Sequence, residues 1–162
     1  MELIVDIKKR LGDFTLESRF SAGAGVTGLL GASGCGKSLT LKCIAGVERP
    51  DEGHIELDGR VLFDSAKRVN LPPQKRQVGY LFQNYALFPN MTVEQNIAAG
   101  AADRKNRREE ARRLAEAFGL TQCLNRLPRQ ISGGQQQRTA LARILASRPL
   151  ALLLDEPFSS LD

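Results

Sequence analysis

Val26-Thr27-Gly28-Leu29-Leu30-Gly31-Ala32-Ser33-Gly34-Cys35-Gly36-Lys37-Ser38 reads as a short apolar strand, a glycine-rich turn and the opening of a helix. The helix is expected over Lys37 to Ala45, with Gly46 as a left-handed C-terminal cap. Residues 31 to 38 match G-x-x-x-x-G-K-[ST], a pattern whose chemistry depends on that strand, turn and helix context. Glycines at 31, 34 and 36 let the backbone wrap so that its N–H groups face phosphate oxygens, and the helix N-terminus adds partial positive charge. The expected cradle is Gly31, Ala32, Ser33, Gly34, Cys35, Gly36, Lys37, Ser38 and Leu39. Lys37 is expected to bring an ammonium to the β- and γ-phosphates, and Ser38 a hydroxyl to Mg²⁺. Cys35, beside both the helix N-terminus and Lys37, is expected to react with maleimide faster than Cys43 or Cys123.

Just upstream, Gly23-Ala24-Gly25-Val26-Thr27-Gly28 satisfies G-x-G-x-x-G, but these glycines enter a strand instead of leaving one for a helix, so the segment is read as a connecting turn. Downstream, Leu150-Ala151-Leu152-Leu153-Leu154 is a second buried-strand signal and runs straight into Asp155-Glu156-Pro157. Carboxylates at the end of a parallel strand lie on the ligand-binding edge of such a sheet. Asp155 is suited to hold Mg²⁺ and Glu156 to deprotonate an attacking water, the alternative being two solvated acids at a turn. Val78 to Phe82 is a further buried strand, and Ile55 to Leu62 a hairpin turned at Asp58-Gly59. The expected fold is α/β: a phosphate-loop NTPase core with a mainly parallel sheet, an N-terminal antiparallel β part, and an inserted helical lobe over about residues 84–147.

The 162 residues suit one domain, and 42% hydrophobic with 25% charged residues excludes a disordered chain. No run of eighteen apolar residues is present, and Met1-Glu2-Leu3-Ile4-Val5-Asp6 lacks a basic leader region, so a cytoplasmic setting is expected. Three cysteines without CxxC spacing indicate neither a disulfide framework nor a zinc site. Of the net charge of +5, much gathers in the run from Arg104 to Arg113. Ala111, Leu114, Ala115 and Phe118 fall at i, i+3, i+4 and i+7 there, so the charges belong to the solvated face of an amphipathic helix, and no aromatics interleave them for stacking on bases.

Ile131-Ser132-Gly133-Gly134-Gln135-Gln136-Gln137-Arg138 precedes a helix with apolar positions at Ala140, Leu141, Ile144 and Leu145. Ser132 and Gln135 fit a capping box, S-x-x-Q. Capping alone does not call for Gly133-Gly134, both poor helix formers; close approach of a phosphate to the backbone does.

With these residues in place the chain resembles the ATP-binding subunits of ABC transporters from about residue 3 to residue 162. Gly31 to Ser38 is similar to their Walker A motif, Gln83 to their Q-loop glutamine, and Ile131 to Gln135 to their LSGGQ signature with Ile for Leu. Leu150 to Glu156 is similar to their Walker B, and Ser159-Ser160-Leu161-Asp162 to their D-loop. Gly79 to Val93 resembles bacterial importers, and Phe63-Asp64-Ser65 with Asn70 to Arg76 resembles the branch importing molybdate or a similar oxyanion.

The resemblance implies an ATPase that powers import, using ATP and Mg²⁺, with a non-transport ABC ATPase acting on nucleic acid or ribosomes as the alternative. It implies catalysis through Glu156, Gln83 and Lys37, and Mg²⁺ held by Ser38, Gln83 and Asp155. It further implies a head-to-tail homodimer with a second nucleotide-binding subunit, in which one chain's Ser132, Gly134 and Gln135 close over ATP on the other's loop. The region from Tyr85 to Met91, with Leu87 and Phe88, either receives a helix of the transmembrane permease or packs the helical lobe. A solute-binding protein would act indirectly, direct nucleic-acid contact is not expected, and the location is peripheral on the inner face of the membrane. The family's switch histidine falls beyond Asp162, so a fragment truncated after the D-loop is expected; His54, the sole histidine, is read as a solvated loop residue. The adenine-stacking aromatic should fall near Leu11, where Phe14 is the nearby candidate.

Overall fold

The computed structural model describes residues 1–157, so the expected D-loop, which starts at Ser159, lies outside the described residues. The chain divides into two units, Met1 to Val78 and Gly79 onward, each taken by itself.

Unit 1 is built on an antiparallel sheet. β1 (Leu3–Leu11) and β2 (Phe14–Ala22) pair along their whole length, from Leu3 opposite Ala22 to Leu11 opposite Phe14. In β1 the alternation sends Val5 and Ile7 into the core and Asp6 and Lys8 to solvent. β3 (Glu52–Leu57) and β4 (Arg60–Asp64) form the expected hairpin; Asp58 and Gly59 both take positive φ, 52° and 77°, as a tight turn matching strand twist requires. With β5 (Val69–Asn70) the order is β2-β1-β3-β4-β5. α1 (Lys37–Ala45) packs against β2 and ends on Gly46 at φ 81°, the expected left-handed cap. α2 (Pro73–Arg76) delivers Arg76, 1% exposed, beneath α1. Its guanidinium donates to the carbonyls of Cys43, Ile44 and Leu71 and to Asn70 Oδ1, which satisfies two of α1's terminal carbonyls.

Two expectations fail in unit 1. Val26 to Leu30 forms no strand: Val26 and Leu30 are fully exposed, and no ladder reaches the segment among the described residues. An apolar run becomes a strand only where a neighbour takes up its backbone hydrogen bonds, and the antiparallel sheet closes without it. His54 lies within β3, not in a solvated loop; Nδ1 meets Asp64 Oδ2 at 3.1 Å and Nε2 meets Glu56 Oε2 at 3.2 Å.

In unit 2, β6 (Val78–Leu81) and β7 (Ala151–Leu154) form a parallel two-stranded sheet, so the chain is α/β with an antiparallel N-terminal part and a parallel pair. Between these strands run α3 (Val93–Ala99), α4 (Arg107–Ala117), two short 3-10 turns and α5 (Gly133–Ala146). Their core gathers Val93, Ile97, Ala111, Leu114, Ala115, Leu120, Ala142 and Ala146. α4 buries the stripe expected of it. α5 does so only in part: Ala140 is buried as expected, but Leu145 is 36% exposed, while Ala142 and Ala146 are buried because small residues let α5 lie close to α3 and α4. Ile144 turns instead toward Gly79 of β6, where an added Cβ would collide with it. β7 is likewise only half buried, with Leu152 and Leu154 more than a third exposed, because a two-stranded sheet covers one face of each strand.

Candidate functional site

The expected site residues fall into three clusters. In unit 1, Gly31 to Cys35 is an exposed loop and Gly36 is the N-cap of α1. Gly34 and Gly36 need glycine, at φ 79° and 96°, and these conformations bend the chain around a concave backbone surface. Lys37 Nζ turns back into the loop, donating to the carbonyls of Gly31 and Ala32 at 2.7 and 2.8 Å, with Cys35 Sγ 3.8 Å away. The ammonium therefore stands at the mouth of the loop on neutral acceptors that a phosphate oxygen outcompetes, since a charged acceptor binds about twice as strongly. Ser38 and Leu39 follow in the first turn, half-buried, with Thr40 Oγ1 bonded to the Gly36 carbonyl. Against Gly36 lies the β1–β2 hairpin: an added Cβ would approach the Phe14 ring to 3.3 Å. Phe14, 40% exposed, thus borders the loop.

In unit 2, the carboxylates after β7 are wired to β6 and the residues following it. Asp155, 8% exposed, accepts from the Tyr80 hydroxyl at 2.9 Å. Burial and that carboxylate both push the Tyr80 phenol up, so it stays a donor. Its ring packs edge-on to Phe82, centroids 4.5 Å apart. Glu156 takes a left-handed φ of 48° and accepts from Gln83 Nε2 at 3.2 Å. The structure therefore brings Gln83 to Glu156 and Tyr80 to Asp155. Neither carboxylate is simply a solvated acid at a turn. Among the described residues, no group of three or more His, Cys, Asp or Glu gathers as a metal centre.

The third cluster is the first turn of α5. Ser132 is its N-cap: Ser132 Oγ accepts from the Gln135 amide at 3.3 Å, and Gln135 Oε1 accepts from the Ser132 amide at 2.9 Å. The capping box is real and occupies both side chains. Gly133 and Gly134 are not explained by it, since an added Cβ on either meets nothing within 4 Å and neither has a positive φ.

A family model described as ABC transporter matches residues 16–159. The chain belongs to the ABC transporter family. It is 44% identical over 162 residues to the molybdenum import ATP-binding protein ModC of Paramagnetospirillum magneticum, covering 99% of this chain and 45% of that protein. To ModC of Brucella melitensis it is 45% identical over 161 residues, again spanning 99% of this chain and 45% of that protein. Among solved structures, it superposes on the ATP-binding cassette MJ0796, described as dimeric and bound to ADP and Pi, with TM-score 0.77 and 28% identity, covering 100% of this chain and 76% of that one.

In this ABC transporter chain, sequence reasoning missed the side chains that hold the motifs. Tyr80 was visible only as a strand residue. Gln137 Nε2 donates to the Pro157 carbonyl just past the carboxylates. Arg143 and Asn96 hold the residues after Gln83, with Asn96 bonded to Phe88 N–H and to the carbonyls of Phe88, Met91 and Thr92. Each of these partners sits across a tertiary contact, and only the period-3.6 placement of Asn96 on the buried side of α3 hinted at one of them.

Proposed function

We propose that the chain is the ATP-binding and ATP-hydrolysing part of an importer for molybdate or a similar oxyanion. One observation carries the reading: besides a phosphate loop in unit 1, the chain presents two glycines at the start of α5 that neither its turns nor its packing require. Each costs about 1 kcal/mol against alanine in a helix. Their amides fall in the first turn, where no intrahelical acceptor exists, so bare backbone donors face outward. That is the geometry for receiving phosphate from outside the chain, as in a head-to-tail homodimer whose two ATP sites are shared. The names of the ModC relatives, at 44% and 45% identity, support molybdate as the imported solute.

In this reading Gly31 to Leu39 cradles the phosphates, Lys37 neutralises developing charge, and Phe14 offers a ring to adenine in place of an aromatic at Leu11. Ser38, Asp155 and Gln83 would hold Mg²⁺, whose chemistry is to neutralise phosphate charge. The fit rests on Asp155, a nearly buried carboxylate that accepts from the Tyr80 hydroxyl. Glu156 takes the proton of the attacking water, and Gln83, bonded to it, sets its orientation. Phe88 and Met91, 46% and 38% exposed, favour permease docking over lobe packing for the region Tyr85 to Met91. No described helix is long and apolar enough to cross a membrane, so inner-face attachment would come from that permease.

The test mixes Lys37→Ala chains with Ser132→Arg chains. Each homodimer has both sites damaged, whereas a mixed dimer has one site with an intact loop and an intact α5 terminus. ATPase activity should reappear on mixing, together with a dimer on sizing. Restored activity in a monomer would refute the shared site, and unchanged molybdate uptake in cells lacking the chain would refute the solute.

A further inference from the structure

The segment after Gln83 is strained and held from two sides. Tyr85 and Ala86 both sit at left-handed φ, 58° and 45°, which side chains disfavour without outside support. Arg143, three turns along α5 from Ser132, supplies that support: Nη1 donates to the Ala86 carbonyl at 2.8 Å, and Nη2 donates to the Tyr85 carbonyl at 3.1 Å. The same guanidinium lies 5.2 Å from the Phe88 ring centroid, in cation–π contact. One planar fork thus grips three of the four residues from 85 to 88, and lysine cannot reproduce it. The backbone of Arg143 is also closely packed, because a Cβ added at Gly100 would collide with its carbonyl. From the other side, Asn96 of α3 holds Phe88 to Thr92.

We propose that Arg143 is a positioning residue that locks residues 85–88 to α5, so that a displacement at the Ser132 end of the helix is delivered to this loop. α5 is a single uninterrupted helix from Gly133 to Ala146, so continuous backbone hydrogen bonding joins its two ends. Its N-terminus carries Ser132 and Gly134, and its eleventh residue carries the fork. In the importer reading, on which the consequence for transport rests, Arg143 joins nucleotide engagement to permease docking while touching neither nucleotide nor reacting water.

Amide hydrogen exchange by mass spectrometry on the full-length protein tests the lock, using Arg143→Met, which keeps the aliphatic stem, and Arg143→Lys, which keeps the charge. Removing charge-assisted bonds of this kind should speed exchange of Tyr85 and Ala86 roughly 10- to 100-fold in the methionine variant and less in the lysine variant. Phe88 N–H, held by Asn96, and the amides of α5 should keep wild-type rates. MgATP should protect residues 84–88 in the wild type, and Arg143→Met should abolish that protection with ATP affinity unchanged. Unaltered exchange at Tyr85 and Ala86, or faster exchange spread equally through α3, α4 and α5, would overturn the proposal, as would nucleotide protection persisting in Arg143→Met. In proteoliposomes with the permease, solute moved per ATP hydrolysed should fall several-fold. A wild-type chain that drives no uptake refutes the importer reading alone, since the exchange result stands without a permease.

Discussion

The phosphate loop of unit 1 and the carboxylate pair of unit 2 solve opposite problems by opposite means. In the proposed reading the loop would hold negative charge, and what it offers is almost entirely backbone: an exposed glycine turn, a helix N-terminus and one lysine that rests on the loop's own carbonyls. The carboxylates would act through their orientation, which is set by side chains from distant residues, Tyr80 on Asp155 and Gln83 on Glu156. A backbone site tolerates change in its surroundings because its donors are covalently ordered. A side-chain site depends on every partner that aims it.

The largest effect that could break this contrast is at Glu156. Glu156→Gln should retain MgATP while losing about 10²- to 10⁴-fold in turnover, as removal of a general base does, so that binding stays with the loop and chemistry with the pair. Nucleotide titration beside a phosphate-release assay separates the two; equal loss in both would dissolve the division.

Thiol labelling sharpens the contrast from the loop side. Cys35 is exposed in the loop, whereas Cys43 is fully buried in α1, and burial with the nearby Glu48 pushes its thiol up to about 11. At neutral pH Cys35 should react with maleimide on the order of 100-fold faster than Cys43, and bound MgATP should shield it. Mass spectrometry of labelled peptides gives the ratio, and equal labelling of Cys35 with and without nucleotide would mean that the loop is not the anion site.

Tyr80→Phe tests the wiring. It removes the hydroxyl donor from a nearly buried carboxylate and should cost about 1.5–3 kcal/mol in a urea unfolding series, the range for hydrogen bonds to charged groups. No change would show Asp155 to be held by other partners.

The smallest effect concerns acid. Asp51 is held below its ordinary 3.8 by the Arg10 amide and by Lys9, and Asp64 by the Lys67 amide and then by His54. Their folded values are depressed, so their contribution to unit 1 is complete above about 3.8 and is lost as pH falls through the still lower folded values. Carboxyl ¹³C titration should give both midpoints under 3.8, and Asp51→Asn should flatten part of the acid branch of the stability curve. Both side chains of the Lys9–Asp51 pair reach solvent, so the change should be small.

How far the sequence could be read depended on whether a feature closes within a few residues. The loop glycines, the Gly46 cap, the Asp58-Gly59 turn and the Ser132–Gln135 box are each made by neighbours in sequence, and each formed as read. Val26 to Leu30 was misread because an apolar run states a willingness to pair and nothing about a partner. The inward face of α5 was read correctly at Ala140 but not at Leu145, because large apolar residues mark burial in general, while the close packing of α3, α4 and α5 selected Ala142 and Ala146.

By itself the sequence determined the chemical inventory: a glycine loop with Lys37 and Ser38, an acid pair at the end of an apolar run, and a capped helix opened by two glycines. These follow from local sterics and hydrogen bonding, which act over a few bonds of chain. Only the tertiary structure decided which donor serves which acid, since Tyr80 and Asp155 lie 75 residues apart and Gln83 and Glu156 lie 73 apart. It also decided that Arg143 grips the Tyr85–Phe88 turn from 55 to 58 residues away. A hydrogen bond needs its partners within about 3 Å, and no local propensity can specify that proximity across so much intervening chain.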